Sequence, residues 1–276
     1  MFKRLTSLIR RRWHPLWRLR QLSAFRLFQR CCDRAVNTRI PGTNIRVAVM
    51  LFRDASWILA SEEIESEIRR AFTLVLDLLQ PSVFWDVGAN IGFYSWFVRN
   101  HASIRQVVMF DPDPTNFELL TRTIHNNRIS NCRVMNLALA DQSGEASFLL
   151  DLASGATGSL EAISQRGNES SLHHAYEMSD SITCRTATIE GLIAEGVPPP
   201  DFMKIDVEGA EHLVLEGGRT YIAQWHPTMI IETANHVLVE QLVASGFSAF
   251  KIDAENWLFV ADTKLDALSV LNRHFP

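Results

Sequence analysis

The sequence predicts an α/β domain built on a mostly parallel sheet with helices on both faces, and three observations predict it. From Val83 onward, short apolar runs alternate with helix-length segments, the pattern of βαβ units whose strands are buried on both sides. One such run, Val83-Phe-Trp-Asp-Val, leads into glycines at 88 and 92 and then into a helical segment, a turn that lets backbone approach a ligand. Two runs end in carboxylates, Asp86 and Asp111, at the strand ends where open α/β sheets keep their binding crevice. Length and composition agree. A chain of 276 residues with 47% apolar and 21% charged residues excludes collagen, a coiled coil and wholesale disorder, and favours one large domain with appendages.

The elements follow in order. Residues 1–40 read as a basic helical leader: positions 1–39 hold eleven Lys or Arg against the single Asp33, although the whole chain carries a net charge of −4. Winding 16–30 as a helix gathers Trp17, Ala24, Phe25 and Phe28 on one side but scatters Leu16, Leu19, Leu22 and Leu27 among the arginines. Three roles fit: a solvated helix resting on its own domain, an arm at an anionic membrane surface, or a mitochondrial presequence. The expected location is cytoplasmic, with attachment at the inner face of a membrane as one option within it and mitochondria as the alternative. Nucleic acid is disfavoured, because the body is acidic and no recognition motif follows. No run approaches the roughly eighteen apolar residues of a membrane helix, and arginines interrupt any secretory h-region. Cys31, Cys32, Cys132 and Cys184 are spaced neither as a zinc loop nor as a disulfide framework, which points to a reducing compartment.

Residues 41–80 read as a strand and a helix packed on the core: a turn at Pro41-Gly42, a strand over 45–52, and a helix over 61–80 that opens at Ser61 and closes before Pro81. Residues 81–276 form the main domain. Strands are expected at 83–87, 106–110, 132–137, 202–206, 228–232, 247–252 and 256–260, with helices near 92–99, 114–127, 209–217 and 236–244. Short strands at 144–150 and 182–188 flank a polar loop insertion at about 151–181, a length that suits a lid or binding segment.

The turn after the first core strand decides the ligand class. A dinucleotide fingerprint needs glycine where Asn90 stands, so a pyrophosphate fits poorly. A carboxylate at Asp86 suits an ammonium better than a phosphate, and Asp111 can accept hydrogen bonds from ribose hydroxyls. Asp113-Pro114 then starts the next helix, with Asp as cap and Pro at the first position.

These motifs, with Asp86-Val-Gly-Ala-Asn-Ile-Gly92, Asn136-Leu-Ala-Leu-Ala-Asp141 and Lys204-Ile-Asp-Val-Glu-Gly-Ala-Glu211 in that order, resemble the FkbM family of S-adenosylmethionine-dependent methyltransferases over roughly residues 83–235. The resemblance implies a Rossmann-like class I methyltransferase sheet, mostly parallel and seven-stranded, with S-adenosyl-L-methionine as cofactor. Asp86, Gly88, Asn90 and Gly92 would then hold the methionine part, Asp111 the ribose in place of the more usual Glu, and Ala138 and Leu139 would lie near the adenine. Family members mostly methylate hydroxyl oxygens, so the implied partner is a sugar, glycan or other small-molecule acceptor.

Methyl transfer is an in-line displacement that needs the acceptor oxygen held about 3 Å from the methyl carbon, and a base for its proton. Asp206 and Glu208, close together at a strand end, are the candidates, because neighbouring carboxylates raise one another's pKa. Glu211 suits either that cluster or the positive end of the helix it starts. Glu232, and His236 four residues on, could also face the acceptor; no His/Cys cluster points to a metal. Two other readings compete: a nicotinamide-dependent sugar oxidoreductase, disfavoured by Asn90 and by the lack of a Tyr-x-x-x-Lys pair, and a non-catalytic lipid- or partner-binding protein that works through the leader.

Overall fold

The computed structural model describes residue 28 and residues 31–59, 65–151, 158–161 and 179–275. Expectations for residues 1–27, for Ser61 as a helix start and for most of the 151–181 insertion lie outside those residues.

An antiparallel hairpin comes first, β1 (Ala35–Arg39) paired with β2 (Arg46–Met50). The segment read as leader thus already contains a strand. A short helix α1 (Ala55–Ile58) and the longer α2 (Ser66–Leu79) follow. The core then runs β3 (Val83–Val87), α3 (Phe93–Val98), β4 (Gln106–Phe110), α4 (Pro114–Asn127) and β5 (Cys132–Met135). As expected, Asp113 caps α4, its Oδ1 accepting the Thr115 N–H at 2.7 Å ahead of Pro114 in the first turn.

The expected strand over 132–137 stops at Met135, and β6 (Ala138–Leu139) joins a separate small sheet with β7 (Gly144–Asp151), β8 (Ser159–Leu160) and β9 (Ser179–Ala187). The described part of the insertion is therefore an antiparallel ribbon rather than a plain loop, because β7 and β9 pair along their whole length from Gly144↔Thr186 to Asp151↔Ser179. The chain closes with α5 (Ile189–Ala194), β10 (Phe202–Ile205), α6 (Glu211–Glu216), α7 (Arg219–Trp225), β11 (Thr228–Glu232), α8 (His236–Ala244), β12 (Phe247–Lys251), β13 (Asn256–Ala261) and α9 (Leu265–His274).

Seven strands form the main sheet in the order β12-β13-β11-β10-β3-β4-β5, all parallel except β13, which runs against both neighbours. Successive strand residues feed opposite faces. Phe84, Val107, Phe202, Ile230 and Leu258 pack with Phe72 of α2, Trp96 of α3 and Leu271 of α9. Their neighbours Trp85, Val108, Met203, Ile231 and Phe259 pack with Leu192 of α5, Val214 of α6 and Leu242 of α8. Strands buried on both faces read as continuous apolar runs for this reason.

The hairpin is stitched to α4: the Ala48 N–H donates to Thr123 Oγ1 at 2.9 Å and the Asn127 amide donates to the Arg46 carbonyl at 2.8 Å. Strand order reverses between β3 and β10, since β4 and β5 extend one way and β11 the other. A crevice outside the carboxyl ends of those two strands is the place where open sheets bind ligands. Among the described residues, no helix is long and apolar enough to cross a membrane.

Candidate functional site

The crevice exists. It is an open cleft whose wall takes Gly88 and Asn90 from the turn after β3, Asp111, Asp113 and Asn116 from the β4–α4 junction, Leu137 to Leu139 near β6, and Asp206 and Glu208 after β10. The small sheet supplies Phe148, Asp151 and Leu160. An apolar wall with a few convergent polar groups has the character of a small-molecule site.

Gly88 makes the two central strands meet. Its φ of +80° lies in the left-handed region, and a Cβ there would stand 1.8 Å from the Asp206 carbonyl oxygen. Asn90 is also left-handed, at φ 51°. Its N–H donates to Asp111 Oδ2 at 2.7 Å, while its buried Oδ1 has no hydrogen-bond partner among the described residues. Asp111, 4% exposed, accepts the Asn116 amide on Oδ2 at 3.1 Å and the Asp113 N–H on Oδ1 at 2.9 Å. Burial first, and then Asp113, raise its pKa to about 7. A carboxylate offers about four acceptor positions, so Oδ1 retains capacity for a ligand hydroxyl.

Asp86 and Gly92 stand behind this wall. Asp86, 2% exposed, turns to the face of α3, where its Oδ2 accepts the Ser95 hydroxyl at 2.6 Å and the Ser95 N–H at 3.1 Å. Burial lifts its pKa to about 7 against those hydrogen bonds. The pleat explains the difference from Asp111: Asp86 lies within β3 on the α3 side, one residue before the strand ends, whereas Asp111 follows the last residue of β4. At Gly92 a Cβ would meet Trp96 and Leu120 side chains at 2.7 Å, so this glycine lets α3 pack.

The acidic side of the crevice is organised by a cation that the sequence reading gave no role. Lys204, 1% exposed in β10, sets its Nζ 3.3 Å from Asp206 Oδ2, 3.7 Å from Glu232 Oε2 and 3.3 Å from Asn256 Oδ1, and 5.6 Å over the Tyr94 ring. Burial alone would lower its pKa, but Asp206 and Glu232 raise it, so the ammonium stays charged. Glu232 is raised to about 7 by burial and then by Asp206. Glu208 is raised to about 8 by burial, then by Asp206 and Glu232, and adopts a left-handed φ of 51°, a strain that persists only where surroundings impose it. Glu211 is committed elsewhere: its Oε1 accepts the Gly209 N–H at 2.8 Å. The available signal for Lys204 was its position in the strand Phe-Met-Lys-Ile, since a lysine buried on both sides of a parallel sheet needs partners.

His236 stands apart. It is exposed in the first turn of α8 with its ring edge-on to Trp257 at 6.2 Å, outside the cavity wall. The strand end at Glu232 faces Lys204, and the chain turns away through Asn235, which caps α8, before reaching His236.

Arg53, which sequence reasoning also missed, lies 6% exposed behind the other end of the crevice and binds Asp54, Asp113 and Asn116. Nothing local marked its link to the crevice, because Asp113 and Asn116 lie 60 and 63 residues further along the chain.

The Methyltransferase FkbM domain matches residues 86–255, which include every wall residue named above. The chain belongs to the FkbM methyltransferase family. It is similar to hexuronic acid methyltransferase AglP of Haloferax volcanii, 29% identical over 163 residues that make up 58% of this chain and 56% of that protein. It is also similar to methyltransferase sdnD of Sordaria araneosa, 26% identical over 153 residues, 48% of this chain and 58% of that one. This FkbM chain thus spans somewhat over half the length of both relatives. Methyltransferase FkbM from Methylobacillus flagellatus KT superposes with a TM-score of 0.44 at 16% identity, over 66% of this chain and 44% of that one, too loosely to bear on the site. Arg53 and the β1–β2 hairpin precede the FkbM span.

Proposed function

We propose that the chain transfers a methyl group from S-adenosyl-L-methionine to a hydroxyl oxygen of a sugar, glycan or secondary metabolite. The observation that carries this reading is the pairing, in one crevice of an FkbM frame, of a buried carboxylate at Asp111 with spare acceptor capacity and a carboxylate group around Asp206 and Glu208. The donor set fits the cofactor. Asp111 would accept from the ribose hydroxyls, Ala138 and Leu139 offer apolar wall to the adenine, and the unpartnered Oδ1 of Asn90 suits the ammonium of the amino-acid part. When bound, the cofactor supplies a sulfonium methyl group as the electrophile.

The chain's own residues orient the acceptor and take its proton. Glu208, with a pKa near working pH, accepts the hydroxyl proton as the oxygen attacks. Asp206, anchored by Lys204, holds the acceptor in line. His236 lies outside the wall and is assigned no step in this reading. The acceptor belongs to the hydroxylated class that includes the hexuronic acid named for the Haloferax relative. Residues 1–39, rich in Arg and Trp, would hold the enzyme at an anionic membrane surface.

Calorimetric titration with S-adenosylmethionine, S-adenosylhomocysteine and NAD, repeated on Asp111→Ala, tests the reading. Micromolar binding of the two sulfur nucleosides, lost in the variant and absent for NAD, is expected. Binding of NAD alone would move the chain to nicotinamide chemistry, and binding of none would leave a non-catalytic protein.

A further inference from the structure

We propose that Arg53, from a hairpin outside the FkbM span, is a positioning residue for the cofactor ribose, acting through Asn116 on the Asp111 carboxylate. The inference rests on the crevice being an S-adenosylmethionine site.

Arg53 sits in the turn after β2, and its backbone is itself fixed. The N–H groups of Phe52 and Arg53 donate to Asp33 Oδ1 and Oδ2, each at 2.9 Å. From that anchor the guanidinium forks. Its Nε donates to Asp54 at 3.0 Å, its Nη1 to Asp113 Oδ2 at 3.3 Å and its Nη2 to Asn116 Oδ1 at 2.6 Å. On its other side the Asn116 amide donates to Asp111 Oδ2 at 3.1 Å.

A guanidinium can only donate, so it takes the Asn116 amide oxygen and leaves the NH₂ for Asp111. Arg53 therefore compels Asn116 to offer its NH₂ to Asp111 and, by occupying Asp113, keeps that second carboxylate from competing for it. Asp111 is thereby held with Oδ2 committed to Asn90 and Asn116 and with acceptor capacity left on Oδ1. Asp111, Asp113 and Asn116 line the cavity and Arg53 does not, so Arg53 acts behind the wall. A planar fork is required for this, because a lysine ammonium is a point charge that cannot bridge carboxylate and amide in one plane.

The test compares S-adenosylhomocysteine with its analogue lacking both ribose hydroxyls, titrated calorimetrically into the full chain and into Arg53→Lys. Loss of one charge-assisted hydrogen-bond relay is expected to weaken S-adenosylhomocysteine about tenfold, while the dideoxy analogue binds within about twofold of its wild-type affinity. A merely structural arginine would weaken both ligands alike, and that result, or unchanged binding of S-adenosylhomocysteine, would overturn the proposal. If wild-type protein binds neither ligand, the reading of the crevice fails and the inference with it. Should Arg53→Lys not fold, Asn116→Leu cuts the relay at its middle and must show the same loss confined to the hydroxylated ligand; an equal loss for both ligands would again refute it.

Discussion

Just past the ends of β3 and β10, Gly88 and Asp206 come into close backbone contact, and the absence of a side chain at Gly88 permits it. Replacing it with alanine imposes both a left-handed φ on a Cβ-bearing residue and a clash with the Asp206 carbonyl. Gly88→Ala is expected to cost on the order of 3 kcal/mol in urea unfolding, because backbone strain and overpacking add. Cofactor binding should fall with it, since Asp206 would be displaced from the crevice.

Lys204 carries the opposite sort of constraint. Lys204→Met keeps the volume but leaves Asp206 and Glu232 facing each other without a cation, and is expected to lower stability in urea unfolding by less than the roughly 3 kcal/mol of a fully buried pair, because both carboxylates stay partly solvated. Adding Glu232→Gln to Lys204→Met should recover part of that loss. A double variant less stable than Lys204→Met alone would show that the lysine is not needed for charge compensation.

The ends of β3, β4, β10 and β11 together form an acidic edge whose ionisation works against folding. Asp86, Asp111 and Glu232 are raised to about 7 and Glu208 to about 8, burial being the first cause for each. Each folded pKa exceeds its unfolded value, so between these values the native state binds more protons than the unfolded state. The stability these groups contribute is complete in acid and is lost as pH rises through about 7 to 8. Thermal melts should therefore show a falling Tm from mildly acid to mildly alkaline pH, with a shallower fall in Glu208→Gln. A Glu208→Gln slope identical to wild type would remove Glu208 from the account. The same ionisation has the reverse sign for turnover. Methyl transfer should rise through pH about 8 as Glu208 becomes an available base, and Glu208→Gln should abolish that limb.

For the molecule as a whole, the basic end and the acidic body do not divide at residue 40. Asp33 holds the backbone of Phe52 and Arg53, and β1 pairs with β2, so the folded frame reaches into the basic stretch. Deleting residues 1–27 should abolish binding to vesicles containing anionic lipid while calorimetric binding of S-adenosylhomocysteine survives, and the vesicle binding should weaken with salt. Extending the deletion through residue 39 removes Asp33 and β1 and is expected to impair nucleoside binding as well. Vesicle binding unaffected by the shorter deletion would end the membrane-surface reading of the leader.

The amino-acid sequence alone determined the class of fold, the order of the core strands along the chain and the helices that begin at Asp113-Pro114 and Asn235-His236. Those features depend on local signals: apolar runs of strand length, capping side chains and a proline at a first turn. The motif around Gly88 and the carboxylates at Asp111, Asp206 and Glu208 were legible for the same reason, since strand ends are local and their joint placement follows from parallel order. Tertiary structure alone decided which of two similar aspartates faces the crevice, because the pleat sends Asp86 to Ser95 and leaves Asp111 on the wall. It also decided that β11 lies beside β10, which brings Glu232 to Lys204, and that the first hairpin docks on α4, which brings Arg53 to Asp113 and Asn116. Contacts between residues far apart in the chain carry no local pattern, and charge compensation inside a low-dielectric core depends on those contacts.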